Sequence, residues 1–240
     1  MNVRFLPAGD TAVLVEFGDP IGRGVSERVL RLSAQVHAAK LAGVVETVPT
    51  IRSLLVNYDP LATDNVSVTG AIEKLLDTSR GATHPVRLWR IPACYAAGHA
   101  PDLEEVAQRT GLSTAEVVRF HSGTRYHVYM IGFVPGFPYM GDLPAPLALP
   151  RRVDPRVRVP AGSIAIATTM TAVYPLESPG GWHLIGATPI RLFDLRWASP
   201  ALISPGDAVQ FEPIAADEFD AIRAAVAADA YQVPCEMLAA

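Results

Sequence analysis

Four arginines fall within eight residues of "PRRVDPRVRVPAGS", at Arg151, Arg152, Arg156 and Arg158, and Pro150, Pro155 and Pro160 stiffen the chain around them. A guanidinium offers a flat fork of N–H donors that matches carboxylate or phosphate oxygens two at a time. Such a cluster on a stiff loop suits a small anionic substrate or a nucleotide phosphate; a solvated charged loop is the competing reading. In "YPLESPGGWHLIG", Ser178-Pro179-Gly180-Gly181 reads as a tight turn whose backbone N–H groups could cradle an anion, with Trp182 as a flat apolar wall. A hairpin turn carrying a core tryptophan would look the same. A third stretch, "GFVPGFPYMGDLP", packs three glycines, three prolines and three aromatics into thirteen residues directly after an apolar run. Proline and glycine at that density set the shape of a loop before a ligand arrives, which lowers the ordering cost of binding. A β-barrel that simply needs many turns is the alternative.

Other chemistry is sparser. His121 falls near the C-terminus of a predicted helix, where the helix dipole favours its protonated form; His127 lies on the strand before the aromatic loop, and His183 follows Trp182. No HExxH or HxH spacing points to a metal, no GxSxG to a serine nucleophile, and no GxxxxGK[ST] to a P-loop. Cys94 and Cys235 are far apart and lack CxxC spacing, which argues against a disulfide scaffold and fits a reducing cytoplasm. These residues describe a rigid, loop-built site that prefers an anion, without naming a reaction.

The elements that must position them divide in two. Residues 1–80 alternate as ββαββα: "VRFLPAGDTAVLVEFG" gives two strands, and Val25, Val29, Leu32 and Val36 recur at helical spacing with Gly43 as the expected stop. "VVETVPTIRSLLVNYDP" gives a hairpin, and Val68, Ile72 and Leu75 a second helix. That order predicts a ferredoxin-like α+β sandwich. "DTSRGATHP", residues 77–85, is polar and broken by Gly and Pro, and marks a boundary. From 86 to 230 a strand and two short helices, Asp102 capping the first and Ser113 with Glu116 boxing the second, lead into short apolar runs broken by Gly and Pro and then a final helix, which predicts a β-barrel. A formal net charge of −4 without a basic block argues against nucleic acid, and no apolar run is long enough for a membrane helix or an export signal.

Read together, "GFVPGFPYMG", "PRRVDPRVRVPAGSIAIA", "YPLESPGGWHLIGATP" and "SLLVNYDP" resemble the B-type component of bacterial 5-oxoprolinase, a family also described as allophanate hydrolase subunit 1 or kinase-A-inhibitor-like. The resemblance runs through "IPACY", "PDLEEVA" and "PGDAVQFEPI" to cover nearly the whole chain. It implies a ferredoxin-like domain followed by a cyclophilin-like barrel. It also implies a cytoplasmic, ATP-dependent opening of 5-oxoproline to glutamate, with ATP bound by or shared with a partner. The implied partners are a homologous second subunit (C-type, or allophanate hydrolase subunit 2) and an A-type subunit. Carried over by motif position, His121, Arg151 and Arg152 become the catalytic candidates. The substrate- or nucleotide-binding candidates are Phe133, Pro135, Gly136, Phe137, Tyr139, Ser163, Tyr174, Ser178, Gly180, Gly181 and Trp182. Two positions depart from the family pattern: Met170 stands where a glutamine precedes "TGIYP", and Ala187 where "IGRTP" has arginine, so an amide and a guanidinium are lost. The resemblance also carries two alternatives, a regulatory module that inhibits a sensor histidine kinase and a carboxyltransferase-like subunit handling a urea-type substrate. Neither Lys40 nor Lys74 lies in a Met-Lys-Met context, so biotin would have to arrive on another protein.

Overall fold

Alternating apolar residues build the first sheet. The computed structural model describes residues 3–18, 21–78 and 86–238, and the chain divides into two units, Met1–Pro85 and Val86–Ala239. The first holds β1 (Arg4–Pro7), β2 (Ala12–Glu16), α1 (Arg23–Ala39), β3 (Val44–Pro49), β4 (Ser53–Tyr58) and α2 (Asn65–Thr78). Its sheet runs β1-β2-β4-β3, and every neighbouring pair is antiparallel. Because β4 lies between β2 and β3 and opposes both, β2 and β3 are parallel, with α1 as their crossover: a split β-α-β unit. Val13, Val15, Leu54 and Val56, two apart on their strands, share one core with Val29, Leu32 and Val36 of α1 and Ile72 of α2. Helix α1 does not run to Gly43. It stops at Lys40, which takes a left-handed φ of 46°.

The second unit begins with β5 (Val86–Cys94), α3 (Leu103–Thr110) and α4 (Thr114–Ser122). The box expected at the start of α4 is formed: Ser113 Oγ accepts from Glu116 N–H at 3.2 Å, and the Glu116 carboxylate accepts from Ser113 N–H at 2.8 Å. Then follow β6 (Arg125–Ile131), β7 (Pro138–Gly141), β8 (Arg156–Val159), β9 (Ser163–Ala167), β10 (Met170–Val173), β11 (Ser178–Gly180), β12 (His183–Ala187), β13 (Ala208–Ile214), α5 (Ala216–Ala227) and β14 (Cys235–Leu238). Seven strands, in the order β12-β9-β10-β7-β6-β13-β5, close on themselves where Ala187 of β12 pairs with Cys94 of β5. A closed seven-strand barrel is consistent with the expected cyclophilin-like domain. Ile91, Tyr126, Val128, Ile164, Ile166, Ile185, Val209 and Phe211 fill its core, each at or below 1% exposure.

Four expectations need correction or extension. "PRRVDPRVRV" is not all loop, because Arg156–Val159 is a strand; Ser178–Gly180 is a strand rather than a tight turn, and the two pair as a separate ribbon. The expected end of the unit at 230 falls short, since β14 adds an eighth strand outside the ring on β5. "WHLIGATPIRLFD" is one of the apolar runs expected as a strand, but residues 190–194 leave the ladder apart from an isolated bridge between Phe193 and Ala201. The boundary expected at residues 77–85 lies, from 79 onward, outside the described residues.

Candidate functional site: an aromatic wall beside an arginine cluster

The loop between β6 and β7 is two turns in series. Val134 N–H bonds to Gly132 O at 2.8 Å, a γ-turn centred on Phe133, whose φ of 66° is left-handed. Phe137 N–H then bonds to Val134 O at 3.1 Å around Pro135 and Gly136. Proline at the second position and φ +78° at Gly136 make this a type II turn. A Cβ on Gly136 would also come within 2.7 Å of Phe193 Cβ, so glycine is required twice over. The Pro and Gly spacing therefore sets the loop by local chemistry alone.

This loop supplies the hub of a five-ring cluster. Phe137, 2% exposed, has Phe133 at 5.5 Å, Tyr139 at 4.9 Å, Tyr174 at 5.1 Å and Trp182 at 6.2 Å between ring centroids, while Tyr139 and Trp182 meet at 6.0 Å. Tyr139 comes from β7, Tyr174 follows β10 and Trp182 follows β11, so the barrel brings together aromatics that are far apart along the chain. Phe133 is the exception to burial: it is 61% exposed and held there in a costly backbone conformation. Phe133→Gly is expected to change stability by less than about 1 kcal/mol, because relief of left-handed strain offsets the lost edge contact. Urea unfolding checks this, and a loss above about 2 kcal/mol would make Phe133 a structural plug instead.

Arg151 lies near enough to this wall for its charge to act on Tyr139 and Tyr174. It is exposed and has no hydrogen bond or ion pair among the described residues. Burial pushes the Tyr139 and Tyr174 phenols up, and in both the Arg151 charge opposes that shift more than any other group. The other arginines are already paired. Arg152 Nη1 donates to Glu105 at 3.0 Å and more weakly to Asp102 at 3.4 Å; Arg156 Nη2 donates to Asp102 at 2.5 Å, and Arg158 pairs with Glu177 at 2.6 Å. Asp102, 3% exposed, spends its second oxygen on Leu184 N–H at 2.7 Å. It occupies the N-cap position of α3 but makes no cap bond. The predicted cap is instead the anchor of an ion cluster that ties α3 to β12 and to the segment around β8.

His121 is not the cation expected at a helix end. It is fully buried, stacks on Phe211 at 4.6 Å, and desolvation lowers its pKa from 6.5 to about 3. Loss of hydration outweighs the helix dipole, so the ring is neutral. Its tautomer follows from its neighbours. Thr171 Oγ1 donates to Ala165 O at 3.0 Å, so it accepts from His121 Nε2–H at 2.9 Å, and Nδ1 accepts from Tyr95 O–H at 2.8 Å. His121 is thus placed in the barrel interior rather than at the wall.

Of the other predicted residues, Pro135 is exposed on the loop, and Ser163 is buried at the head of β9, where its carbonyl accepts from Tyr174 N–H at 2.9 Å. Ser178 and Gly180 lie in β11; their backbone pairs with β8, so the expected N–H nest is absent there. Gly181 accepts from Arg152 N–H at 2.8 Å. Met170 is buried on β10 opposite Ala167, and Ala187 sits at the barrel seam. The sequence gives no sign of Asp102 and Glu105 as ion partners, because a helix-start acid is fully explained by its local position. No helix among the described residues is long and apolar enough to cross a membrane.

The chain matches a family model described as carboxyltransferase domain, subdomain C and D, over residues 3–203. It is 40% identical to the B-type component of 5-oxoprolinase from Escherichia coli O157:H7 over 208 residues, covering 85% of this chain and 93% of the relative. It is 37% identical to the corresponding 5-oxoprolinase component of Bacillus subtilis strain 168 over 236 residues, covering 93% and 98%. The solved K. lactis urea amidolyase superposes with a TM-score of 0.80 over 98% of this chain and 16% of that much longer one; at 20% identity this is a likeness of fold alone. A chain alignable almost end to end with these bacterial proteins belongs to the carboxyltransferase-domain family, in the branch formed by the B-type components of 5-oxoprolinase.

Proposed function

We propose that this chain is one subunit of an ATP-dependent hydrolase that opens 5-oxoproline, or a related cyclic or small amide, to the free amino acid. It works with a homologous second subunit and an A-type subunit, in the cytoplasm, and is inactive alone. The observation that carries this reading is the preformed aromatic wall with an uncommitted guanidinium, Arg151, close enough to act on its tyrosines. An unactivated lactam is a poor electrophile, and phosphoryl transfer from ATP to its oxygen would create a leaving group. Charge developing there calls for fixed donors. Arg151 supplies one; the exposed Phe133 and half-buried Tyr139 offer apolar surface to a planar ring; Arg152, held by Glu105, positions rather than binds. His121 shapes the barrel beneath the site. The split β-α-β unit supports reading the first domain as ferredoxin-like. The urea amidolyase fold favours one second reading, a carboxyltransferase-like subunit acting on a urea-type substrate.

The test is glutamate release from 5-oxoproline and ATP by this chain mixed with its two partner subunits. Release should require all three chains, and Arg151→Ala should lower kcat/KM by about a hundredfold, the scale of losing a charge-assisted contact to a developing anion. A stable complex that ignores 5-oxoproline but carboxylates or cleaves a urea derivative would favour the second reading.

A further inference from the structure

Unpartnered donors single out one ribbon. Among the described residues of the second unit, the buried side-chain polar atoms without a hydrogen-bond partner are Arg152 Nε, Arg156 Nη1, Ser178 Oγ and His183 Nδ1. The β8–β11 pairing brings their segments together, with Gly180 opposite Arg156 and Ser178 opposite Val159. His183 is accounted for separately: its Nε2 faces Pro150 O at 3.0 Å and its Nδ1 faces Glu105 at 4.0 Å. The other three atoms are donors. Buried polar groups in folded proteins are nearly all satisfied, so the two unsatisfied donors on the ribbon, Arg156 Nη1 and Ser178 Oγ, with Arg152 Nε just before it, call for an acceptor.

The charges call for the same thing. Arg109, Arg152 and Arg156 converge on only two carboxylates, Asp102 and Glu105. One positive charge is left over in a half-buried cluster, and Arg151 alongside adds a second. Tyr174 completes the set. Burial raises the pKa of its hydroxyl, and the charge of Arg151, the nearby Trp182 backbone N–H and the charge of Arg156 all oppose that shift. That hydroxyl lies so close to Gly180 that a Cβ there would overlap it. Asp102 grips Arg156 through Nη2, which holds Nη1 out of the pair.

We propose that this ribbon, with Arg151 and Tyr174, is an oxyanion site in which Arg156 Nη1, Ser178 Oγ and the Tyr174 hydroxyl donate to a phosphoryl or carboxylate group. Asp102 is its positioning residue. The proposal rests on reading this face as a ligand site, but it requires only the isolated chain, with no partner and no turnover.

Thermal unfolding of the full chain at pH 7 and constant ionic strength, titrated with inorganic phosphate or with succinate against chloride, tests it. A saturable rise in midpoint with phosphate assigns a phosphoryl ligand, and one with succinate a carboxylate. Ser178→Ala should leave the anion-free midpoint unlowered, since its hydroxyl has no partner to lose, yet weaken the anion response about threefold to tenfold. Tyr174→Phe should weaken the anion response to a similar degree, and Arg156→Lys by more than about tenfold, because an ammonium cannot donate a fork while bound to Asp102. No saturable response to either anion, or one untouched by all three substitutions, would overturn the site and leave its donors to water. Turnover by the three-subunit mixture is read separately: its absence alongside an intact anion response would sink the proposed reaction and not this site.

Discussion

Gly162→Ala is expected to destabilise the second unit by about 3 kcal/mol or more, through strain and overlap together. Gly162 holds φ at +83°, and a Cβ there would run into the backbone carbonyl of Thr188. No flexible side chain can yield, because the obstacle is itself fixed: Thr188 N–H donates to Gly162 O at 2.8 Å, and Gly162 N–H donates to Tyr174 O at 2.7 Å. The residue stitches the ends of β9, β10 and β12 together, directly behind Tyr174. Relaxing the overlap would therefore move the tyrosine of the aromatic wall, and ligand response should fall with stability. Gly98→Ala is the control, with open space around it and no positive φ; it should stay within about 0.5 kcal/mol of the parent. Urea unfolding of both variants decides the matter. A Gly162→Ala loss below about 1 kcal/mol would mean that the barrel end is softer than this geometry implies.

The second large effect is expected at His121 and depends on pH. In the unfolded chain this imidazole takes a proton near its ordinary pKa of 6.5, whereas in the folded chain it does so only near 3. Between those values the unfolded state binds more protons, so stability is full above about pH 6.5 and falls as pH drops toward 3. The slope from this one group approaches about 1.4 kcal/mol per pH unit. His121→Phe should cost about 2–4 kcal/mol at pH 7, since it strands the Tyr95 hydroxyl and removes the donor to Thr171. The gap between parent and variant should then narrow as the pH is lowered to about 4.5, because only the parent carries this titration. Denaturant unfolding at the two pH values measures it. A gap that stays constant would mean that the folded chain protonates His121 as readily as the unfolded chain does.

What could be read from the chain alone was governed by local chemistry. Pro135 and Gly136 dictate their turn because proline fixes φ and glycine alone takes a positive φ without strain, and Ser113 with Glu116 makes its cap within one helical turn. Short apolar runs broken by Gly and Pro marked most barrel strands, and the long motifs carried the family. Where local rules offered a sufficient answer, the tertiary structure replaced it. Asp102 looked like a helix cap until Arg152 and Arg156, far along the chain, were folded against it. Ser178-Pro179-Gly180 looked like a turn, because its strand pairing depends on Arg156–Val159, which itself resembled a loop. His121 at a helix end should be charged, but closure of the barrel around it removes the water that would keep the charge. The sequence by itself determined turns, caps, strand periodicity and the residue types at the wall, since these depend on neighbours along the chain. Which arginine remained uncommitted, which donors lacked partners and which histidine lost its charge were decided only by the tertiary structure, because pairing and desolvation depend on neighbours in space.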